Sequence, residues 1–345
     1  MKPRIIIRCD GGKSIGMGHV VRCLALADML KNYFSIHIAI QKPPQTVINT
    51  IQTATKNIII LPETSDFEKD KNNFIKHILV TDIVVLDGYE FKTQYQQQIK
   101  NKGCKLVCID DLHNWHQVAD VIINHAVDIS PLMYSAEKYT KFYLGLDYVL
   151  LRAPFLNTNQ ETRRIVNIHK IFISMGAADA DNNTLKFAKA LIILEKITEV
   201  HLMLSSINPH LESILDLISN NPKQNIFTHF NISAEELKEI LLHSDLAICP
   251  ASSISLECCA IGIPILSGYS AENQRSNLAG MEKHKTLINF ESFDKLSVSE
   301  IAYKIEKLIT DSAIFSELVQ NQKKMIDGKS PERLVELFKK LSCNK

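Results

Sequence analysis

The chain has 345 residues, 46% of them hydrophobic and 22% charged, with a formal net charge of +1. One hydrophobic core rarely serves a chain of this length, so two domains of about 150 to 170 residues are expected. The near-zero charge gives no global field for nucleic acid or an anionic membrane, so neither is expected as a partner and any anion must be met by a local site.

Met1-Lys2-Pro3-Arg4 leads directly into Ile5-Ile6-Ile7, with neither a signal-peptide core nor a cleavage site, which predicts a cytoplasmic location. No run reaches the roughly 18 uncharged apolar residues of a membrane helix, so no membrane insertion is expected. Cysteines stand at 9, 23, 104, 108, 249, 258, 259 and 343, without a C-x-x-C pair. They read as packed, reduced thiols, and no metal is expected.

Short β-branched runs recur at Arg4 to Arg8, Ile36 to Ile40, Ile58 to Leu61, Ile83 to Leu86, Leu106 to Ile109 and Val121 to Ile123. They predict strands of a buried parallel sheet. Between the first two, Val20, Cys23, Leu24, Ala27 and Leu30 recur at helical spacing, which makes a covering helix and completes a βαβ unit. The series restarts at Ile171 to Met175 and runs through Val200 to Leu204, Ile226 to Thr228, Leu246 to Cys249, Ile263 to Leu266 and Leu287 to Phe290.

The polar stretch 157–169 reads as a linker between an N-terminal Rossmann-like domain over 1–156 and a C-terminal one over 170–330, and 331–345 reads as a Pro-started, Lys-rich amphipathic helix. The predicted class is α/β, with two Rossmann-like domains facing a cleft at the carboxyl ends of their strands. The sequence sets no oligomeric state, and a monomer is compatible with it.

After the first strand comes Gly11-Gly12-Lys13-Ser14-Ile15-Gly16-Met17-Gly18-His19. A glycine-rich loop before a helix brings backbone N–H groups to an anion, although glycines there also serve simply to turn the chain. A Walker A loop would need glycine at Ile7, and a dinucleotide fingerprint beginning at Gly16 would need glycine at Val21, so neither ATP nor NAD is favoured and no cofactor is expected. His19, at the first helical turn, is a candidate proton carrier or a helix cap, and Asp10 could orient its imidazole or bind a sugar hydroxyl.

In the second half, Met175-Gly176-Ala177-Ala178-Asp179 is a small-residue turn of low specificity. Ala251-Ser252-Ser253-Ile254-Ser255-Leu256-Glu257 opens a helix with hydroxyls and follows with a carboxylate. Such a start can receive a diphosphate while Glu257 accepts from a ribose diol, or it can be an ordinary N-cap. Gly262 to Leu266 reads as a strand that delivers Glu272-Asn273-Gln274 to the same rim.

Taken together, Arg8, Asp10, the segment Ile15 to Ala27, Met175-Gly176, Ala251-Ser252-Ser253 with Glu257, and Glu272-Asn273-Gln274 resemble the UDP-2,4-diacetamido-2,4,6-trideoxy-β-L-altropyranose hydrolases of pseudaminic acid biosynthesis. The resemblance spans residues 10 to 280. It implies the glycosyltransferase-B architecture, a UDP-sugar substrate, and water activated by His19. It further implies that Asp10, Tyr89 and Asn273 lie at the reacting centre, and that Arg8, Gly16, Gly18, Arg152, Gly176, Ser252, Ser253, Glu257 and Gln274 bind substrate. Ala177 departs from the family, which has a second glycine there.

A glycosyltransferase using an acceptor hydroxyl and a non-catalytic nucleotide-sugar binder are the other readings. No basic and apolar acceptor patch is evident between residues 40 and 100, which favours hydrolysis. The presence of His19 and Tyr89 argues against a pure binder.

Overall fold

Seven strands build the first sheet: β1 (Arg4–Cys9), β2 (Ser35–Gln41), β3 (Ile58–Leu61), β4 (Ile83–Asp87), β5 (Lys105–Ile109), β6 (Val121–Asn124) and β7 (Lys141–Leu144). The computed structural model of the protein describes residues 2–12, 16–156, 165, 167–222, 225–309 and 312–343. Lys13, Ser14 and Ile15 of the glycine-rich loop, and most of the expected linker (157–164 and 166), lie outside the described residues.

All neighbours in the first sheet are parallel, in the order β3-β2-β1-β4-β5-β6-β7. Both faces are covered, which is why the strands read as continuous apolar runs. Ile5 and Ile7 enter a core with Val20, Leu26 and Val85, while Ile6, with Val84 and Leu86, faces Phe74 and Phe91 on the other side. Leu24 is only partly buried, and Leu26 takes the core place on the helix Gly18–Leu30. The edge strand β7, none of whose residues is buried, was not expected.

The second sheet holds β8 (Lys170–Ile173), β9 (Glu199–Leu204), β10 (Asn225–Phe230), β11 (Leu246–Pro250), β12 (Ile265–Tyr269) and β13 (Ile288–Ser292). Its order is β10-β9-β8-β11-β12-β13, again parallel throughout. β12 begins at Ile265 rather than Ile263, because Gly262 ends the preceding helix at φ 72° and Pro264 has no N–H to give a ladder. Pro264 still accepts from Ala247 through its carbonyl.

The chain divides into two compact units, residues 1–153 with 329–345, and residues 154–328. The last helix, Ser330–Cys343, belongs to the first unit and buries Leu334, Leu337 and Phe338 in its core. At roughly 1.5–3 kcal/mol per buried apolar side chain, those three contacts are enough to hold the returning helix. No helix among the described residues is long and apolar enough to cross a membrane.

In each sheet the strand order reverses at the first strand, between β1 and β4 and between β8 and β11. Loops at the carboxyl ends there are where doubly wound folds bind ligands. The glycine-rich loop follows β1 and the serine loop follows β11, so both candidate loops sit at a switch point.

Candidate functional site

Register aligns the rim of the first sheet. Cys9 pairs with Asp87, Asp87 with Ile109, and Ile109 with Ile123, so the residues that follow these strands emerge at one level. Gly12 and Gly16 close the glycine-rich loop on itself through two mutual backbone hydrogen bonds of 3.0 and 2.8 Å. The Gly16 N–H is therefore committed within the loop. Gly16 needs its glycine for φ +78°, and a Cβ at Gly18 would meet open space. The helix Gly18–Leu30 then starts without a side-chain cap on Met17, which leaves first-turn N–H groups without intrahelical acceptors.

His19 is buried on that first turn, and its Nδ1 lies 2.6 Å from Asp87 Oδ1. Arg22, one turn on, grips the same carboxylate with Nε at 2.7 Å and Nη2 at 2.6 Å, and reaches Asp111 with Nη1 at 2.8 Å. Arg22 Nη2 also stands 3.1 Å from His19 Nδ1. A guanidinium only donates and an ionised carboxylate only accepts, and Asp87 is the nearer group, so we assign the Nδ1 proton to the Asp87 bond. That tautomer leaves the Nε2 lone pair open to accept a proton.

Burial alone would raise the Asp87 carboxyl, but Arg22 and His19 outweigh it and hold the group well below the usual carboxylate range. Burial likewise works against the Arg22 charge, and Asp87 with Asp111 more than offsets it. Tyr89 packs edge-on against the His19 ring, with centroids 4.8 Å apart. It reaches that place because Gly88 lets the chain turn against Phe91, where a Cβ would come within 2.8 Å of the ring.

Asp10 does not orient His19. Its carboxylate accepts from Arg8 at 2.6 Å and from the Gln41 N–H at 2.9 Å, and the orienting carboxylate is Asp87 instead. Arg8, expected to bind substrate, is 1% exposed, lies over the Phe91 ring and is held by Asp10 and Asp70. Its reach is spent inside the unit, where it braces Asp10. Arg152 is half-buried at the end of the first unit.

In the second unit, Gly176 is exposed with φ 87°, a conformation that favours glycine, and a Cβ there would meet nothing. Ala177 is not among the described residues with positive φ, so its methyl adds no backbone strain. Asp179 caps the helix Asn183–Ile192 by accepting from the N–H groups of Asn183 and Thr184 at 2.8 and 2.9 Å.

Ser252 precedes the helix Ser253–Ile261 in extended backbone, and its hydroxyl makes no capping bond to that helix. The turn is instead held through main-chain oxygens, with Ser255 Oγ on Ser252 O at 2.7 Å and Asn277 Nδ2 on Ala251 O at 3.3 Å. Ser253 is half-buried at a helix start without a side-chain cap, a place that suits an anion. Glu257 is 3% exposed, one turn further on. Asn273 and Gln274 lie in a 3-10 turn, where the Gln274 side-chain oxygen accepts from the N–H groups of Ser270 and Ala271 at 2.9 and 3.3 Å. Gln274 thereby shapes its own loop, and its oxygen is not available to a ligand.

Sequence reasoning gave no role to Asp87, Arg22 or Asp111. An acid closing a fully buried strand and an arginine three residues after the histidine on one helix were the available signals.

No protein-family model matches the chain. It is 25% identical over 79% of its length to an uncharacterised protein of Methanocaldococcus jannaschii, of which it spans just 57%. It is 23% identical over 97% of both chains to the spore coat polysaccharide biosynthesis protein SpsG of Bacillus subtilis. With the UDP-2,4-diacetamido-2,4,6-trideoxy-beta-L-altropyranose hydrolase of Campylobacter jejuni it shares 24% identity over 81% of this chain and 96% of that one. Among solved structures it is similar to MurG of Acinetobacter baumannii (TM-score 0.63, 13% identity, 98% of this chain and 100% of that one). It is also similar to the calicheamicin glycosyltransferase CalG4 (TM-score 0.66, 13% identity, 100% and 99%). The fold is that of the glycosyltransferase-B enzymes, and the Campylobacter relative is named for the hydrolysis of a UDP-linked sugar.

Proposed function

We propose that the protein hydrolyses a UDP-linked 2,4-diacetamido-2,4,6-trideoxy sugar of the β-L-altro configuration to UDP and the free sugar, as a step of pseudaminic acid biosynthesis. The observation that carries the reading is the 2.6 Å contact between His19 Nδ1 and Asp87, which leaves Nε2 as the basic atom. Asp87 fixes the tautomer and stabilises the imidazolium once it forms, as a carboxylate does for a catalytic histidine.

In this reading water attacks the anomeric carbon while the bond from that carbon to the diphosphate oxygen breaks. The water proton passes to His19 Nε2, and the bonding pair leaves with UDP. A single displacement inverts the anomeric centre. Negative charge grows on the departing diphosphate, and backbone N–H groups at Gly176 and at the start of the helix Ser253–Ile261 are suited to meet it without a metal. The Campylobacter relative supports the substrate class, and the eight unpaired cysteines support a reducing compartment, in keeping with a cytoplasmic site of action.

Transfer to an acceptor hydroxyl is the second reading. Ile60, Phe67, Leu79 and Val80 are 50–62% exposed, so the stretch between residues 40 and 100 does present apolar side chains that the sequence pattern left unnoticed.

The test is incubation with UDP-2,4-diacetamido-2,4,6-trideoxy-β-L-altropyranose without acceptor, followed by NMR of the products. Release of UDP and free sugar is expected. Turnover only on addition of an alcohol acceptor would establish the transferase instead. His19→Ala should fold and bind UDP while losing about 10³-fold or more in kcat, and near-full turnover in that variant would remove His19 from the role of base.

A further inference from the structure

A secondary amide is recognised by two partners at once, an acceptor for its N–H and a donor for its carbonyl oxygen. The loops after β5 and β6 carry one of each beside the His19 network. Asp111 Oδ2 accepts from Arg22 Nη1 at 2.8 Å, while its Oδ1 is buried with no hydrogen-bond partner among the described residues. A buried carboxylate oxygen left in that state is costly, so it calls for a donor. His113 Nδ1 and Trp115 Nε1, on the same loop, are also buried without a partner.

His125 directly follows β6. Its Nδ1 accepts the Leu150 N–H at 3.2 Å, which puts the proton of the neutral ring on Nε2, and the side chain is only half-buried. Burial first, and then the Arg22 charge, push His125 down to about 4. Near neutral pH the ring is therefore a fixed N–H donor and takes no part in proton exchange. Arg22 joins these groups to the base, since it is ion-paired with both Asp87 and Asp111.

We propose that Asp111 and His125 recognise an N-acyl group of the sugar, with Asp111 Oδ1 accepting the amide N–H and His125 Nε2 donating to the acyl oxygen. The assignment rests on the UDP-sugar reading above and deepens it. A hydroxyl in place of the acetamido group can also donate and accept, but only from a single oxygen, whereas the amide presents its N–H and its carbonyl oxygen on separate atoms. A protonated amine could satisfy Asp111 but would leave the His125 donor unmatched.

The experiment compares kcat/KM for the diacetamido substrate with that for two analogues, each having one acetamido group replaced by hydroxyl. The wild type is expected to prefer the full substrate over at least one analogue by about 100-fold. His125→Asn keeps an acceptor near the Leu150 N–H but loses the donor at Nε2, and should cut that preference to below about tenfold. His125→Gln, whose amide reaches toward the Nε2 position, should restore part of it. Asp111→Asn gives a second arm.

A merely structural role would lower kcat/KM for all three sugars equally. An unchanged preference in both His125→Asn and Asp111→Asn overturns the assignment. If the wild type hydrolyses none of the sugars, the hydrolase reading falls, and calorimetric binding of the same three UDP-sugars decides. A preference lost in His125→Asn supports amide recognition, and equal wild-type affinities refute it.

Discussion

The two strand-to-helix turns at the switch points are built from opposite materials. Behind the glycine-rich loop of the first unit stand buried His19, Arg22 and Asp87 and half-buried Asp111, a polar set in which each group is held by the next. The serine turn of the second unit offers a helix start without a side-chain cap, with main-chain oxygens bonded by Ser255 and Asn277. A proton carrier needs a partner that fixes its tautomer, whereas a diphosphate whose negative charge grows as it departs, without exchanging a proton, is met by oriented dipoles. The contrast fits the proposed division of labour, with proton chemistry at the first turn and anion binding at the second.

The sharpest way to break that contrast is Asp87→Asn. It leaves Arg22 buried without its main counter-charge and frees His19 to take the other tautomer, so kcat should fall by about 10³- to 10⁴-fold. Stability should drop by roughly 3–5 kcal/mol, as for other buried pairs broken on one side.

The pH dependence has a definite sign. A carboxylate held below its unfolded value of about 3.9 contributes its stabilisation in full above that pH and loses it as pH falls toward the folded value. Acid unfolding of the wild type should therefore steepen below about pH 4, and the slope should flatten in Asp87→Asn. Chemical denaturation from pH 2.5 to 7 checks this, and an unchanged slope in the variant would show that the carboxylate does not carry the effect.

In the second turn the expected changes are smaller and confined to binding. Ser253 is the first residue of its helix and Ser252 before it is extended, so proline fits at 253 and removes the N–H together with the serine hydroxyl. Ser253→Pro should leave the melting temperature within a few degrees while weakening UDP about tenfold by calorimetry. Unaltered affinity would mean that the diphosphate is held elsewhere.

The same contrast explains what was legible in the sequence. Twelve of the thirteen strands announce themselves as short apolar runs, most of them in sheets covered on both faces; of the two edge strands with no buried residue, β10 was legible from Ile226 to Thr228 and β7 was not. The candidate loops were also legible, since glycines and serines between a strand and a helix are local signals. The partners of His19 were not. Asp10 lies close in sequence but is turned toward Arg8 and Gln41, whereas Asp87 is brought to the imidazole by the pairing of β1 with β4. Sheet register, a long-range property, decides which carboxylate meets the histidine. The return of the helix Ser330–Cys343 to the first unit is long-range in the same sense, because an amphipathic pattern states that a face must be buried without naming the core that receives it.

The smallest effect tests whether backbone dipoles alone serve the second unit. Ala177 occupies a position where the resembling hydrolases have glycine, yet its φ is not in the left-handed region, so alanine is already compatible with the backbone. Ala177→Gly should then lower stability by about 0.5–1 kcal/mol through the greater freedom of the unfolded chain. UDP affinity should change by less than about threefold, because the N–H direction is set by the turn and not by the side chain. A gain of tenfold or more, read by calorimetry, would instead mean that the methyl stands in the path of the phosphate. The turn after β8 would then bind the anion by close backbone approach, as the glycine of the related enzymes implies.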